Sequence, residues 1–160
     1  MDLILWRHAE ALDHPDLEHG QQGDALDLQR RLTPRGEKQA ARMAAWLDRQ
    51  LPDSARVFAS PARRTEQTAQ ALGRPFKTIE ELAPGAPALA LLERVQWTQH
   101  KYPVVLVGHQ PTLGAVIAHV LGWAEGDCPV KKASVWWLRQ RERNGQPQGL
   151  VVTVQVPDLL

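Results

Sequence analysis

Two histidines and two arginines that lie far apart in the chain all stand where short apolar runs stop. Arg7-His8 follows Leu3-Ile4-Leu5-Trp6, and His109 follows Val104-Val105-Leu106-Val107-Gly108. Arg63-Arg64 comes just after Arg56-Val57-Phe58-Ala59-Ser60. An arginine fork matches the oxygens of a tetrahedral phosphate bidentately. A neutral imidazole among such cations is a nucleophile able to take a phosphoryl group, and neighbouring positive charge keeps it neutral. The same cations stabilise the charge that spreads over the equatorial oxygens during transfer. Positioning and electrostatics are what this chemistry needs, so neither a metal nor another cofactor is expected. His14 and His19, taken with His8, fit no standard ligand spacing. No Gly-rich loop ending in Lys-Ser or Lys-Thr is present, which argues against nucleotide binding of the P-loop kind.

For these residues to meet, the apolar runs must be parallel strands with their carboxyl ends on one edge. A short apolar run that ends abruptly reads as a strand buried on both faces, and ligands of open α/β sheets sit outside such strand ends. Between the first and second strands, Thr33-Pro34 starts a helix running to about Gln50, with Ala40, Met43, Ala44 and Leu47 on its inner stripe. Ser60-Pro61 repeats the pattern and predicts a helix through Leu72, ended by Gly73. Ser60 and Pro111 would both open helices at the strand ends, adding unpaired N–H groups there. Lys77 to Leu82 reads as a short edge strand. Ala86 to His100 reads as a helix with Leu89, Leu92, Val95 and either Gln96 or Trp97 facing inward. The helix after Pro111 buries Leu113, Val116, Ile117, Val120 and Leu121 and closes at Gly122.

Asn144-Gly145 marks a two-residue hairpin between Ser134–Glu142 and Gly149–Val156, with Leu150, Val152, Val154 and Val156 on one face. Trp136-Trp137 must point to opposite sides, one into the core and the other over an edge or helix. Ala11 to Arg31 has no sustained apolar period. It reads as a long loop with at most a helical turn, leaving from the ligand edge as a candidate flap. The order of elements implies a three-layer α/β/α sandwich whose mostly parallel sheet gains antiparallel strands from the hairpin.

Size and charge limit the alternatives. The chain has 160 residues, room for one domain spanning residues 1–160. Nineteen basic and 18 acidic side chains give a net charge of +1, no basis for a nucleic-acid or membrane partner. Cys128 is the only cysteine, so no intrachain disulfide is possible. With no apolar run long enough for a signal peptide or a membrane span, a cytoplasmic protein is the expectation.

Four segments now resemble, in order and spacing, the histidine phosphatase superfamily (phosphoglycerate mutase-like). They are Arg7-His8-Ala9-Glu10, Leu32 to Gly36, Ser60 to Ala69 and Val107-Gly108-His109-Gln110-Pro111. The similarity is greatest to the small SixA-type phosphohistidine phosphatases. The resemblance implies that His8 is the nucleophile and that Arg7, Arg64 and His109 bind the phosphoryl group. Arg64 matches the family arginine, whereas Arg63 is one position off. The chain departs from the commonest pattern in having Ala9 where glycine often follows the histidine, and it lacks an insertion long enough for a large cap. A missing cap implies an open site that accepts a protein surface. For the proton donor the resemblance points to the region of Glu80-Glu81, with Glu81 preferred and Glu10 or Asp13 as alternatives from the flap. The expected function is a phosphatase acting on phosphohistidine in a signalling protein. A small-molecule phosphomonoesterase and a non-catalytic phosphoprotein-binding module are the rivals.

Overall fold

Alternation along two strands, β1 (Asp2–Arg7) and β4 (Val104–Gly108), sets the layering. They lie side by side and parallel, with Leu3 opposite Val104 and Arg7 opposite Gly108. Successive side chains leave a strand on opposite faces. Leu3, Leu5, Val104 and Leu106 therefore join one core with Leu91, Leu113 and Ile117. Ile4, Trp6, Val105 and Val107 join another with Met43, Ala44 and Leu47. The result is a sheet between two helical layers, as the uninterrupted apolar runs predict. The computed structural model describes residues 1–13, 25–124, 126 and 128–160.

The remaining strands are β2 (Arg56–Ala59), β3 (Lys77–Thr78), β5 (Val135–Arg143) and β6 (Gln146–Gln155), in the order β3-β2-β4-β1-β5-β6. The first four in that order are parallel, and β5 and β6 run antiparallel to their neighbours. The helices are α1 (Ala25–Leu28), α2 (Pro34–Gln50), α3 (Arg63–Gln70), α4 (Ala88–Val95) and α5 (Thr112–Leu121). No helix among the described residues is long and apolar enough to cross a membrane.

Helix α2 follows its sequence signals closely. Thr33 Oγ1 accepts the Gly36 N–H at 2.9 Å, and Ala40, Met43, Ala44 and Leu47 are buried. Glycine at position 36 is a packing requirement, since a Cβ there would collide with the Glu10 carbonyl. The start of α2 can thus lie directly against the segment that follows His8.

Several elements depart from expectation, each for a local reason. Helix α3 begins at Arg63, not at Ser60-Pro61, because Ser60 is drawn into a buried turn: its Oγ accepts the Ala62 N–H at 3.2 Å and its carbonyl accepts Thr65 Oγ1 at 3.0 Å. That helix also stops at Gln70, short of Leu72, although Gly73 is left-handed at φ 73°. The strand expected over Lys77–Leu82 is only Lys77–Thr78, followed by a 3-10 turn at Glu80–Leu82. Helix α4 is much shorter than Ala86–His100, because Gln96 turns left-handed at φ 46°. Its inward face is Leu91 and Val95, with Leu92 partly buried, while Leu89 is 63% exposed.

The hairpin turns at Asn144-Gly145 with both residues at positive φ, as predicted. The clean alternation expected along β6 fails, however. Trp137 pairs with Thr153 but Leu138 pairs with Val151, so Val152 is an extra residue that flips the pattern. Val151, Val152 and Val154 are all exposed. Trp136 and Trp137 do point to opposite sides, and both pack against cores, neither merely covering an edge. The Ala11–Arg31 segment contains the one-turn α1, and Ala11 pairs with Leu32 in an isolated bridge. Its middle, with His14 and His19, lies outside the described residues.

Candidate active site

Sheet register brings the strand tips together. Arg7 pairs with Gly108 and Ala59 with Val107, so His8, Ser60 and His109 all start just past one row of the sheet. The His8 N–H donates to the Gly108 carbonyl at 3.1 Å and the Ser60 N–H to the Val107 carbonyl at 3.0 Å. The two imidazole centroids are 5.2 Å apart with the rings at 53°. Together with Arg7 and Arg64 they line a cavity of about 230 Å³, which Asp27, Arg30, Pro84, Gln110 and Lys132 complete.

The tautomer of His8 follows from one contact. Its Nδ1 lies 2.8 Å from the Ala9 carbonyl. A carbonyl only accepts, so Nδ1 carries the proton and Nε2 keeps a lone pair. The Ala9 peptide is itself held, because its N–H donates to Thr68 Oγ1 at 3.1 Å. Thr68 in turn donates to the Arg64 carbonyl at 2.8 Å, which ties the ring's orientation to the helix that carries Arg64. Burial is the main force pushing the His8 pKa down to about 3. The Ala9 hydrogen bond opposes that shift, and the charges of Arg64, Arg7 and Arg30 add to it. Burial first, then Arg64, His8, Arg7 and Arg30, push His109 down to about 2. Both rings are neutral near pH 7.

The cations are fixed from behind. Arg7 donates through NH1 to the Val130 carbonyl at 2.7 Å. Arg64, 3% exposed, donates through NH1 to the Asp27 carbonyl at 2.8 Å and through NH2 to Asp27 Oδ2 at 3.1 Å. Arg7 Nε, Arg64 Nε and His109 Nδ1 are nevertheless buried without hydrogen-bond partners among the described residues. Each such group costs about 1–3 kcal/mol unless something pairs with it. A tetrahedral oxyanion in the cavity offers acceptors to several donors at once, beside a ring nitrogen with a free lone pair.

The structure thus gathers His8, Arg7, Arg64 and His109 as the sequence suggests, and leaves Arg63 exposed. It does not bring Glu81 with them. That carboxylate lies 3.5 Å from Arg94 on α4 and is not among the residues lining the cavity. Glu10 accepts from Thr33 Oγ1 at 3.1 Å and faces Arg35 at 3.7 Å, so it serves the start of α2. Asp13 is fully exposed, 3.6 Å from Arg30. The only carboxylate among the described residues lining the cavity is Asp27, which sequence reasoning missed. A lone acid in Ala25-Leu26-Asp27-Leu28 carries no signal until its partners, Arg64 and Arg30, are known. Gln110 was equally hidden, although it adjoins His109; its side chain bridges the Gly114 N–H and the Cys128 carbonyl. Among the described residues no cluster of three or more His, Cys, Asp or Glu side chains could hold a metal ion.

Comparison with known proteins agrees with this geometry. Residues 3–84 match the family model of the histidine phosphatase superfamily (branch 1). The uncharacterized protein Rv1276c of Mycobacterium tuberculosis is 33% identical over 121 residues, 72% of each chain. The fold aligns with that of the protein histidine phosphatase SixA, solved in complex with tungstate, at a TM-score of 0.78 and 22% identity over 99% of each chain. A phosphoserine phosphatase of Entamoeba histolytica, solved with 3-phosphoglyceric acid, aligns at 0.67 and 18% identity over 96% of this chain and 95% of that one. Fold, family model and the gathered histidines and arginines converge: the chain belongs to branch 1 of the histidine phosphatase superfamily, has the SixA-type fold and is a phosphatase.

Proposed function

We propose that the chain is a metal-independent protein phosphohistidine phosphatase whose intermediate is a phosphoryl group on His8. The observation that carries the mechanism is the Nδ1–H contact to Ala9, which leaves Nε2 as the attacking atom beside two guanidiniums. In the first step Nε2 bonds to phosphorus as the bond to the leaving group breaks. Arg7, Arg64 and His109 hold the equatorial oxygens meanwhile. In the second step water attacks phosphorus, inorganic phosphate departs and His8 returns to its neutral form.

The substrate class rests on the leaving group. A phosphorus–nitrogen bond to imidazole is high in energy and needs less help from an acid than an alkoxide does. Among the described residues the one carboxylate lining the cavity, Asp27, is paired with Arg64 and Arg30 and is poorly placed to supply a proton. Glu81, Glu10 and Asp13 would each need to move to serve as donor. A cavity of about 230 Å³ suits a phosphoryl group with the rest of the substrate outside it, as for a side chain on a folded partner in the cytoplasm.

A second reading, a small phosphate ester as substrate, is favoured by one observation. Arg30 and Lys132 join the cavity lining and suit a second anionic group on a metabolite. Rapid quench with a labelled phosphodonor, comparing the native chain with His8→Ala, tests the mechanism. Acid-labile label on the native chain alone is expected, and label on both or on neither overturns it. Turnover of a phosphohistidine-bearing protein against a panel of phosphate esters separates the two substrates.

A further inference from the structure

Ser60 is wholly buried, yet no step above uses it. Its Oγ lies 2.8 Å from His109 Nε2 and also accepts the Ala62 N–H at 3.2 Å. A serine hydroxyl has one hydrogen and two lone pairs. The Ala62 N–H fills one lone pair, and two arrangements with His109 remain. If Nε2–H donated to Oγ, the serine proton would have no other acceptor among the contacts Oγ makes. His109 would also turn a bare Nδ1 lone pair toward an anion. If the serine donates to Nε2 instead, both Oγ contacts are satisfied and the proton of His109 sits on Nδ1. That nitrogen is the buried one without a partner among the described residues, and with Nε2 occupied it is the one left to meet a ligand.

We propose that Ser60 is a positioning residue: its hydroxyl fixes His109 as the Nδ1–H tautomer, making the ring a hydrogen-bond donor to the phosphoryl oxygens. This deepens the phosphatase reading and shares its site, but it concerns a proton's location and stands apart from turnover. The helix that sequence patterns start at Ser60 begins three residues later, which leaves this hydroxyl free for His109. Without Ser60, a neutral imidazole redistributes its proton between the two nitrogens, and the Nε2–H form presents a lone pair to the anion.

The test begins with the unaltered protein. Nitrogen-15 NMR of histidine-labelled chain, with and without inorganic phosphate, is expected to show His109 protonated at Nδ1 and bare at Nε2. Protonation at Nε2 overturns the proposal, whether or not any substrate is turned over. In Ser60→Ala the His109 signals should move toward a tautomer mixture while those of His8 stay. Affinity for inorganic phosphate and kcat should fall about ten- to a hundredfold, the range for losing a hydrogen bond to a charged group. Ser60→Thr, which keeps the hydroxyl, should restore the native tautomer. A double-mutant cycle separates this role from a structural one: on a His109→Gln background Ser60→Ala should cost almost nothing more. Equal cost in both backgrounds would mean that Ser60 merely supports the fold, and the proposal fails.

Discussion

Two cavities, one at the strand tips and one beside the start of β2, hold arginines in opposite states. The second is the larger, about 760 Å³, between Asp48, Leu51, Phe58, Arg74 and Phe76. In it Arg74 spends every donor group on the end of α2. Nε bonds Asp48 Oδ1 at 2.8 Å, NH1 the Pro52 carbonyl at 2.7 Å, and NH2 the Leu51 carbonyl at 3.1 Å. That guanidinium is a cap on helix-end carbonyls. At the strand tips, Arg7 and Arg64 are each anchored at one end and keep a buried Nε with no partner among the described residues. The smaller cavity is the one with unmet hydrogen-bonding capacity. Size says where space is, and unpaired donors say where a ligand goes.

The comparison breaks most directly at His8. His8→Ala should abolish acid-labile labelling and lower turnover at least about 10⁴-fold, as loss of a nucleophile does, with the folded spectrum unchanged. Arg64→Ala should lower kcat/KM about 10²–10³-fold. It should also destabilise the chain by about 1–3 kcal/mol in urea melts, because buried Asp27 then loses one of its guanidinium partners while Arg30 stays. Arg74→Ala, in the larger cavity, should leave kcat/KM unchanged and cost about 1–3 kcal/mol of stability. If Arg74→Ala impairs turnover as much as Arg64→Ala, the contrast between the cavities is wrong.

A separate effect, on stability alone, comes from pH. Both site histidines have folded-state pKa values, about 3 and about 2, below the ordinary 6.5. Between 6.5 and those values the unfolded chain binds protons that the folded chain refuses. Stability must therefore fall as pH falls through that window, by up to about 1.4 kcal/mol per pH unit for each histidine. Urea melts at pH 7, 6 and 5 should show a flatter dependence in the His8→Gln, His109→Gln double variant than in the native chain. Parallel curves would mean that the rings are not held neutral by burial and the arginines.

What the sequence revealed depended on how local each cause is. The runs Leu3–Trp6 and Val104–Val107 announce buried parallel strands because no polar residue interrupts them. Thr33-Pro34 and Asn144-Gly145 announce a helix start and a turn because the cause lies within four residues. Ser60 looked like one more helix cap, since the imidazole that claims it is 49 residues away. Asp27 was unreadable for the same reason, with Arg64 lying 37 residues on. Gln96 ended α4 with no glycine or proline as warning, and the extra residue Val152 in β6 shows itself only against the partner strand. The quartet was legible because its members follow three short apolar runs, with Arg7 and His8 sharing the first. The groups that hold the quartet in place belong to other segments.

Strand β1 lies between β4 and β5, so it is enclosed by two strands from much later in the sequence. The Trp6 indole, the Arg7 guanidinium and the His8 carbonyl all bond backbone within residues 130–133. A nascent polypeptide that stops short of residue 130 lacks the backbone partners of Trp6, Arg7 and His8, and the proposed nucleophile has no floor beneath it. On the proposed mechanism, catalysis has to wait for residues 130–133 to dock, and until then the polypeptide carries its imidazole without the means to use it.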